Sequence, residues 1–194
     1  MQSLGHMTTD VAQLVFGGFW RRLGAMIADA VVFLPLLPLT RWLQHHYRFY
    51  DCYAIGPWVL IDIAYFVWLV SRFGGTPGKL LFGLRVVRAD GSPIGFQRAM
   101  LRQAPELILW LACAVAIGIP LAAMSDADYL EFSADPHRYK ALEALAPAWY
   151  EPVYFLYATW VYGEVLVLLT NKKRRALHDF LAGSVVIRTR ANVA

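Results

Sequence analysis

FWRRLGAMIADAVVFLPLLPLTRW, residues 19–42, decides the class of fold, because it is long and apolar enough to cross a lipid bilayer. It also contains Arg22 and Asp29, which lie on one face of a helix, about 10 Å apart along its axis. A charge in hydrocarbon costs several kcal/mol unless it is paired, hydrated or neutralised. This face is therefore expected to point into the interior of a helix bundle or into a water-filled cavity.

Three further stretches have the same apolar character, and the overall composition agrees with them. Hydrophobic residues make up 58% of the 194 positions and charged residues 16%, a balance more apolar than a soluble domain usually has. The sequence predicts an all-α membrane protein with four transmembrane helices, each near the length of about 20 residues that a hydrocarbon core requires. The predicted spans are residues 23–42, 57–71, 103–124 and 149–170.

Lysine and arginine residues near the ends of the spans predict the orientation, because they are retained on the cytoplasmic side. Six lie between the second and third spans and six in the tail, against two between the third and fourth spans. Both termini are therefore predicted to be cytoplasmic, with an acidic outer loop at residues 125–148. The basic residues of the two cytoplasmic segments are Arg72, Lys79, Arg85, Arg88, Arg98 and Arg102, then Lys172, Lys173, Arg174, Arg175, Arg188 and Arg190.

The same interpretation divides the chain into a cytoplasmic N-terminal segment, residues 1–18, and one membrane domain, residues 19–190, whose tail, 171–194, returns to the cytoplasm. The first ten residues lack the basic, apolar and small-residue regions of a cleaved signal peptide. The first span is therefore expected to act as an uncleaved start signal.

Short β-branched segments predict a small cytoplasmic element that resembles a β-hairpin. Residues 83–88, followed by turn residues, and residues 184–188 are predicted strands that pair with each other. Residues 96–102 predict an interfacial helix that runs into the third span. A short helix capped by Asn171 and reaching Leu181 is expected before the second strand.

Two more acidic residues, Asp62 and Glu164, lie inside the predicted spans. Glu164 is expected about 10 Å from the cytoplasmic surface, at the depth of Asp29, and Asp62 near the middle of the bilayer. Neither has a basic residue within reach on its own helix, so each must be protonated, paired across helices or exposed to water. Protonation coupled to cation binding is the functional interpretation, and structural ion pairs between helices are the alternative.

Other polar positions are expected to have ordinary structural roles. Tyr157 and Trp160 lie on the side of the fourth span that carries Glu164, where they can line a polar stripe. Arg102 and Glu106 are spaced for an interfacial ion pair at the start of the third span.

No motif in the chain predicts enzyme chemistry, a metal or a bound cofactor. The segment GGTPGK at residues 74–79 lacks the spacing of a phosphate loop, and Leu80 stands where serine or threonine would bind magnesium. The polar residues near Cys52 do not have a recognised ligand spacing, and Cys113 is too distant to pair with it. The net charge of +4 is explained by membrane topology and anionic lipid, so nucleic acid is not an expected partner.

Three motifs stand in a fixed order relative to the spans: FWRRLGAMIAD at residues 19–29, GTPGKLLFGLRVV at 75–87 and RALHDFLAG at 175–183. Together they resemble the RDD family of bacterial membrane proteins, named for one arginine and two aspartates. Arg22, Asp29 and Asp179 take the places of these three residues. Ser184 departs from the threonine that the family commonly has there.

The resemblance implies a multi-pass protein of the bacterial inner (cytoplasmic) membrane and, at most, transport, with exchange of monovalent cations for protons suggested for some members. A carboxylate beyond the last span is expected to be solvated and to tether the tail. Asp179 would do so by pairing with Arg175 or by capping the segment around Lys79. The residues expected to form the cytoplasmic motif are Thr76, Pro77, Gly78, Lys79, Arg175, His178 and Asp179.

The sequence therefore predicts a small inner-membrane transporter, or a transporter subunit, in which Asp29, Glu164 and Asp62 carry cations and protons and Arg22 tunes their affinity. Four short helices enclose little volume, so a route at a subunit interface, and hence a homo-oligomer, is expected. The alternative is a non-transporting scaffold or assembly protein, in which cytoplasmic motifs bind a partner and buried charges set helix packing.

Overall fold

A computed structural model describes residues 15–47, 49–135, 137–172 and 174–189 of the chain. Residues 1–14 of the predicted N-terminal segment, and Lys173 and Arg190 of the predicted basic tail, lie outside the described residues. Over these described residues the fold is mostly helical, with one antiparallel sheet of two strands. The elements are α1 (Phe19–Phe33), α2 (Leu36–His46), α3 (Tyr50–Phe73), α4 (Pro77–Leu81), β1 (Leu84–Arg88), α5 (Gly95–Ala123), α6 (Asp126–Ala134), α7 (Arg138–Leu145), α8 (Tyr150–Thr170), α9 (Leu177–Leu181) and β2 (Ser184–Arg188).

Three helices, α3, α5 and α8, are each long and apolar enough to cross a membrane, and α1 with α2 passes the same test as a bent pair. The axes of α1 and α2 differ by 42°. The bend falls at Pro35, which has no N–H to donate to the carbonyl of Val31, and the N–H of Leu34 bonds that carbonyl instead. The described part of the chain thus has three candidate spans, or four if the pair is one span.

One predicted span begins too late, the predicted continuation of the interfacial helix into the third span is confirmed, and one predicted cap was wrong. Helix α3 begins at Tyr50 rather than at residue 57, and α5 begins at Gly95 because the expected interfacial helix continues into the span without a break. Asn171 follows the end of α8 and does not cap the tail helix, which begins only at Leu177.

The predicted pairing of the two strands is confirmed. Strands β1 and β2 are antiparallel, with Leu84 opposite Arg188 and Arg88 opposite Ser184. The segment before α1 lies along β2, where the N–H of Gly17 donates to the carbonyl of Val186 at 2.9 Å. We call this end of the bundle the motif end; it comprises α4, β1, α9 and β2 with the adjoining turns of α1, α3, α5 and α8. Its buried core includes Ala25, Val67, Val70, Leu84, Val86, Ile94, Ala99 and Val186.

The opposite end, which we call the cap end, comprises α6 and α7 with the adjoining ends of α2, α3, α5 and α8. A buried cluster of Leu121, Tyr129 and Leu142 holds the two short helices against α5. The guanidinium of Arg138, also buried, donates to Asp51 at 2.9 Å. This ion pair explains how an acidic residue is accommodated in the first turn of α3.

Helices α1 and α4 approach so closely that a glycine is required between them. A Cβ atom at Gly78 would overlap the carbonyl oxygen of Ala25 and lie 2.6 Å from Oδ1 of Asp29. Both obstacles are fixed, one by helix backbone and the other by hydrogen bonds. Gly78 therefore sets the distance between the two helices.

We predict that Gly78→Ala lowers the stability of the folded protein by about 1–3 kcal/mol, because the added methyl group must push α4 away from α1. Thermal unfolding of the purified protein in detergent measures the effect. Gly56→Ala is the matched control, since a Cβ atom at Gly56 meets nothing within 4 Å. Equal melting temperatures for the two variants would show that the close approach does not stabilise the fold.

Candidate functional site

The carboxylate of Asp29 is buried and accepts three hydrogen bonds from other parts of the chain. The donors are the hydroxyl of Tyr65 at 2.7 Å, the hydroxyl of Thr76 at 2.6 Å and the N–H of Gly78 at 2.7 Å. Thr76 also accepts a hydrogen bond from the N–H of Lys79, so it caps α4 while it binds Asp29. Asp29 thus fixes the start of α4 against α1, and its oxygens are already satisfied.

Arg22, seven residues earlier on the same helix, binds Asp179 rather than Asp29. Its Nη1 lies 3.1 Å from Oδ2 of Asp179, its Nε donates to the carbonyl of Gly17 and its Nη2 to that of Arg174. The arginine and the first aspartate of the first motif therefore have separate partners. A role for Arg22 in tuning the affinity of Asp29 has no contact to support it.

The expectation that Asp179 is solvated is wrong, because its carboxylate is completely buried. Oδ1 lies 3.2 Å from Nε of Arg102, and accepts from Ser184, while Oδ2 accepts from Arg22 and from the N–H of Ala176. Burial alone would raise the pKa of Asp179, but the positive charges of Arg102 and Arg22 hold it well below its usual range. Asp179 is therefore a buried anion shared by α1, α5 and α9.

Asp179 does tether the tail, although Arg175 binds backbone rather than the carboxylate. Nη2 of Arg175 donates to the carbonyl of Asp179 at 2.8 Å, and Nε donates to that of Ser184 at 3.0 Å. The guanidinium also lies 4.2 Å from the ring centroid of Phe180. Arg175 thus connects α9 to the start of β2.

His178 connects this buried anion to Glu164 in α8. Its Nε2 lies 2.6 Å from Nη2 of Arg102, and its Nδ1 contacts Oε1 of Glu164. Because a guanidinium only donates, Nε2 must accept, so we assign the proton of a neutral imidazole to Nδ1, which donates to Glu164. Burial, together with the charge of Arg102, lowers the pKa of His178 and favours this neutral form. Glu164 of α8 is thus paired with His178 of α9. Pairing with another helix was one of the three possibilities that the sequence left open for Glu164.

The predicted ion pair between Arg102 and Glu106 does not form, because Arg102 turns to Asp179 and His178. Glu106 instead lines a cavity of about 410 Å³ between α1, α3, α5 and α8. Asp62 lines the same cavity and accepts a hydrogen bond from Nε2 of Gln103 at 3.0 Å. Its other oxygen, Oδ2, is buried and has no hydrogen-bond partner among the described residues. The remaining lining residues are Phe33, Trp58, Ile61, Phe66, Leu107, Trp110 and Tyr157.

The cavity brings together two acids, and Glu106 is the one that sequence reasoning missed. Glu106 makes no hydrogen bond or ion pair with any residue in the described part of the chain. The signal was present in the sequence: Gln103 and Glu106 are one turn apart within a long apolar span, a spacing that puts both on one face. Asp62 directly precedes a π-helical stretch, Ile63–Trp68, which widens α3 beside the cavity.

The other predicted site residues lie at the motif end, near Asp29 and outside the cavity of the two acids. Pro77 is the first residue of α4, where its missing N–H costs nothing. Lys79 lines a smaller cavity of about 250 Å³ together with Arg22 and Asp29. Burial, together with the charge of Arg102, lowers the pKa of Lys79 to about 8.

Among the described residues, no group of three histidine, cysteine, aspartate or glutamate side chains is arranged to bind a metal ion. Cys52 and Cys113 are free thiols.

Comparison with known families agrees with the three motifs. The model of the RDD family matches residues 16–183, which include Arg22, Asp29, Asp179 and every lining residue of the cavity. Neither a curated protein nor a solved structure matches the chain.

We predict that Asp179→Asn lowers the stability of the folded protein by about 3–5 kcal/mol, because it leaves the buried guanidiniums of Arg22 and Arg102 without a counter-charge. Thermal or denaturant unfolding in detergent measures the change. Asp90→Asn is the control, since Asp90 is an exposed aspartate and its loss should change little. A variant at position 179 that is as stable as wild type would contradict the buried network.

We also predict that wild-type stability falls as the pH drops below about 6.5, the usual pKa of histidine. The folded protein holds His178 at a lowered pKa, so the unfolded chain binds the proton first and stability is lost from that pH downward. Melting temperatures of wild type and His178→Asn between pH 7.5 and pH 5 test this. The wild type should lose more, and parallel curves for the two proteins would refute the assignment.

Proposed function

The chain belongs to the RDD family, and from that premise we propose that it is a small membrane transporter, or a subunit of one, that exchanges monovalent cations for protons. One observation carries the proposal: the carboxyls of Asp62 and Glu106 face the same cavity, and neither forms an ion pair with a described residue. An acid that lines an apolar cavity without an ionic partner costs stability, which a structural role does not explain.

Two acids in one apolar cavity favour coupled binding of a cation and a proton. When no cation is bound, the repulsion between the two carboxylates and the low dielectric of the cavity favour protonation of at least one of them. A cation that enters the cavity supplies the missing positive charge and releases that proton. Oxygen atoms of Gln103 and Tyr157, which also line the cavity, are neutral ligands suited to a hard monovalent cation.

The proposal changes the set of residues expected from sequence. Asp62 remains a carrier, and Glu106 replaces Asp29, whose oxygens accept three hydrogen bonds and hold α4. Glu164 remains as a proton station, since it lies on α8, the helix that contributes Tyr157 to the cavity, and it contacts His178. Protons would thus pass between the cavity and the motif end through a carboxyl and an imidazole.

A second cavity supports access from the cap end. It has a volume of about 360 Å³ and includes Gln44, Asp51 and Tyr139 in its lining. The indoles of Trp58 and Trp110 line both cavities and separate them. A movement of these two side chains would connect the acids to the cap end, as alternating access requires.

We further propose that α1 and α2 form one bent span, which gives four spans. Arg22 of α1 binds the motif end, whereas Gln44 of α2 donates to Asp51 and Tyr139 at the cap end, so the pair extends along the whole bundle. The basic residues of the motif end support a cytoplasmic position for it, in the bacterial inner membrane, with both termini on that side. Four helices enclose little volume, which favours a homo-oligomer.

The alternative, a scaffold without transport, is favoured by a different observation. The three residues that characterise the family, Arg22, Asp29 and Asp179, all serve contacts that hold the motif end together. A family defined by residues of structural importance does not need a shared transport activity. In this alternative the motif end would bind a partner and the cavity would have no ligand.

We predict that vesicles containing the purified protein and an internal pH dye show proton movement when Na⁺, K⁺ or Li⁺ is added outside. Asp62→Asn and Glu106→Gln should each reduce this movement to the level of empty vesicles, because each removes a carrier carboxylate. Both variants should keep the wild-type melting temperature or raise it, since each removes an acid without an ionic partner.

Glu151→Gln is the control, because Glu151 is an exposed acid at the start of α8 and its loss should leave the movement unchanged. Folded wild-type protein that moves no protons with any of the three cations would overturn the transport proposal in favour of the scaffold.

A further inference from the structure

A basic cavity of about 560 Å³ lies at the motif end, separate from the cavity of the two acids. We call it the arginine cavity. Three exposed arginines line it, Arg21 from the first turn of α1, Arg174 from the segment after α8 and Arg188 from the end of β2. None of its described lining residues is acidic. The chain therefore brings three positive charges together from distant positions without a carboxylate to balance them.

The position of the arginine cavity is that of a membrane interface. Helix α1 begins at Phe19 and α8 ends at Thr170, so both helices leave the apolar layer at this level. The indole of Trp20, 78% exposed, and the side chain of Leu169 form its apolar side. Aromatic residues at such a level mark the boundary between hydrocarbon and head groups. A ligand here would contact both layers.

The guanidiniums remain available for a ligand. Arg21 donates one hydrogen bond, to the carbonyl of Phe82 at 3.1 Å, and neither Arg174 nor Arg188 forms an ion pair with a described residue. Arg174 has a left-handed backbone conformation, with φ of 50°, which is uncommon for a residue with a side chain. Its carbonyl accepts from Arg22, so the strained residue is tied to the Asp179 network while its side chain lines the cavity.

We propose that the arginine cavity binds the head group of an anionic phospholipid. Guanidinium groups form paired, charge-assisted hydrogen bonds with phosphate oxygens. Three guanidiniums carry more positive charge than is needed to neutralise one phosphate. A choline or ethanolamine head group would bring a positive charge toward the arginines, so a phosphatidylglycerol type of lipid fits best. The glycerol and the upper acyl chains then lie against Trp20 and Leu169. Lipid at this position stabilises the motif end through Arg174 and Arg22.

The apolar side of the cavity distinguishes a lipid from a free phosphate ion. A phosphate ion gains only the charge interactions, whereas a lipid also buries its acyl chains beside Trp20 and Leu169. The proposal does not depend on transport, because the arginine cavity shares no lining residue with the cavity of Asp62 and Glu106.

The test is native mass spectrometry of the full chain in detergent, titrated with phosphatidylglycerol or phosphatidylcholine. We expect wild type to bind one phosphatidylglycerol at least tenfold more tightly than phosphatidylcholine. The double variant Arg174→Gln, Arg188→Gln should lose that preference. Arg72→Gln, Arg85→Gln is the matched control, because it removes the same charge from two exposed arginines outside the cavity, and it should keep the preference.

Three results would overturn the proposal. The first is a cavity variant that retains the wild-type preference. The second is a control variant that loses the preference to the same extent as the cavity variant. The third is competition between inorganic phosphate and the lipid at equal concentration. Competition by phosphate would identify a site for the free ion. Melting temperatures measured without lipid verify that both double variants are folded, and phosphatidylglycerol should raise that of wild type and of the control only.

Discussion

The motif end depends on the burial of one charged carboxylate, that of Asp179. An isolated carboxylate in an apolar interior is prohibitively costly, so the groups around it must supply compensating charge and hydrogen bonds. Arg22 from α1 and Arg102 from α5 supply the charge, and Ser184 at the start of β2 supplies a further hydrogen bond. The position of the tail helix relative to two membrane helices follows from this requirement. Asp29 has the same effect on α4, with neutral donors in place of cations.

These two networks give a physical reason for the three motifs of the family. The motifs are far apart in sequence, yet the first contributes Arg22 and Asp29, and each of these binds one of the other two motifs. Gly78 permits the approach that the bonds to Asp29 require. Small and charged residues are thus combined because a short hydrogen bond between helices needs both a polar atom and room for close contact.

Sequence reasoning predicted the apolar spans and the paired strands because both depend on local pattern, which hydropathy and β-branched residues display directly. It placed Asp179 in solvent because nothing in the tail indicates that α9 folds back beneath α5 and α8. It predicted an ion pair between Glu106 and Arg102 because residues four apart on an isolated helix commonly pair. The competing partner, Asp179, lies 77 residues from Arg102 and is visible only in three dimensions. The first turn of α3, which lies before the predicted span at residues 57–71, contains Asp51, and its partner Arg138 is likewise distant in sequence.

The acids of the two networks and of the cavity fall into two groups, and Glu164 lies between them. Asp29 and Asp179 are fully bonded, whereas Asp62 has an orphan oxygen and Glu106 has no hydrogen bond among the described residues. Glu164 lies on α8, which contributes Tyr157 to the cavity, but it accepts from His178, which in turn accepts from Arg102 of the Asp179 network. Loss of Glu164 would remove its bond to His178, so under the transport proposal it would disturb the proton route and the fold together. Asp62 and Glu106 have no such bond to the Asp179 network. Substitutions at these two residues therefore distinguish a transporter from a scaffold, whereas substitution of Glu164 does not.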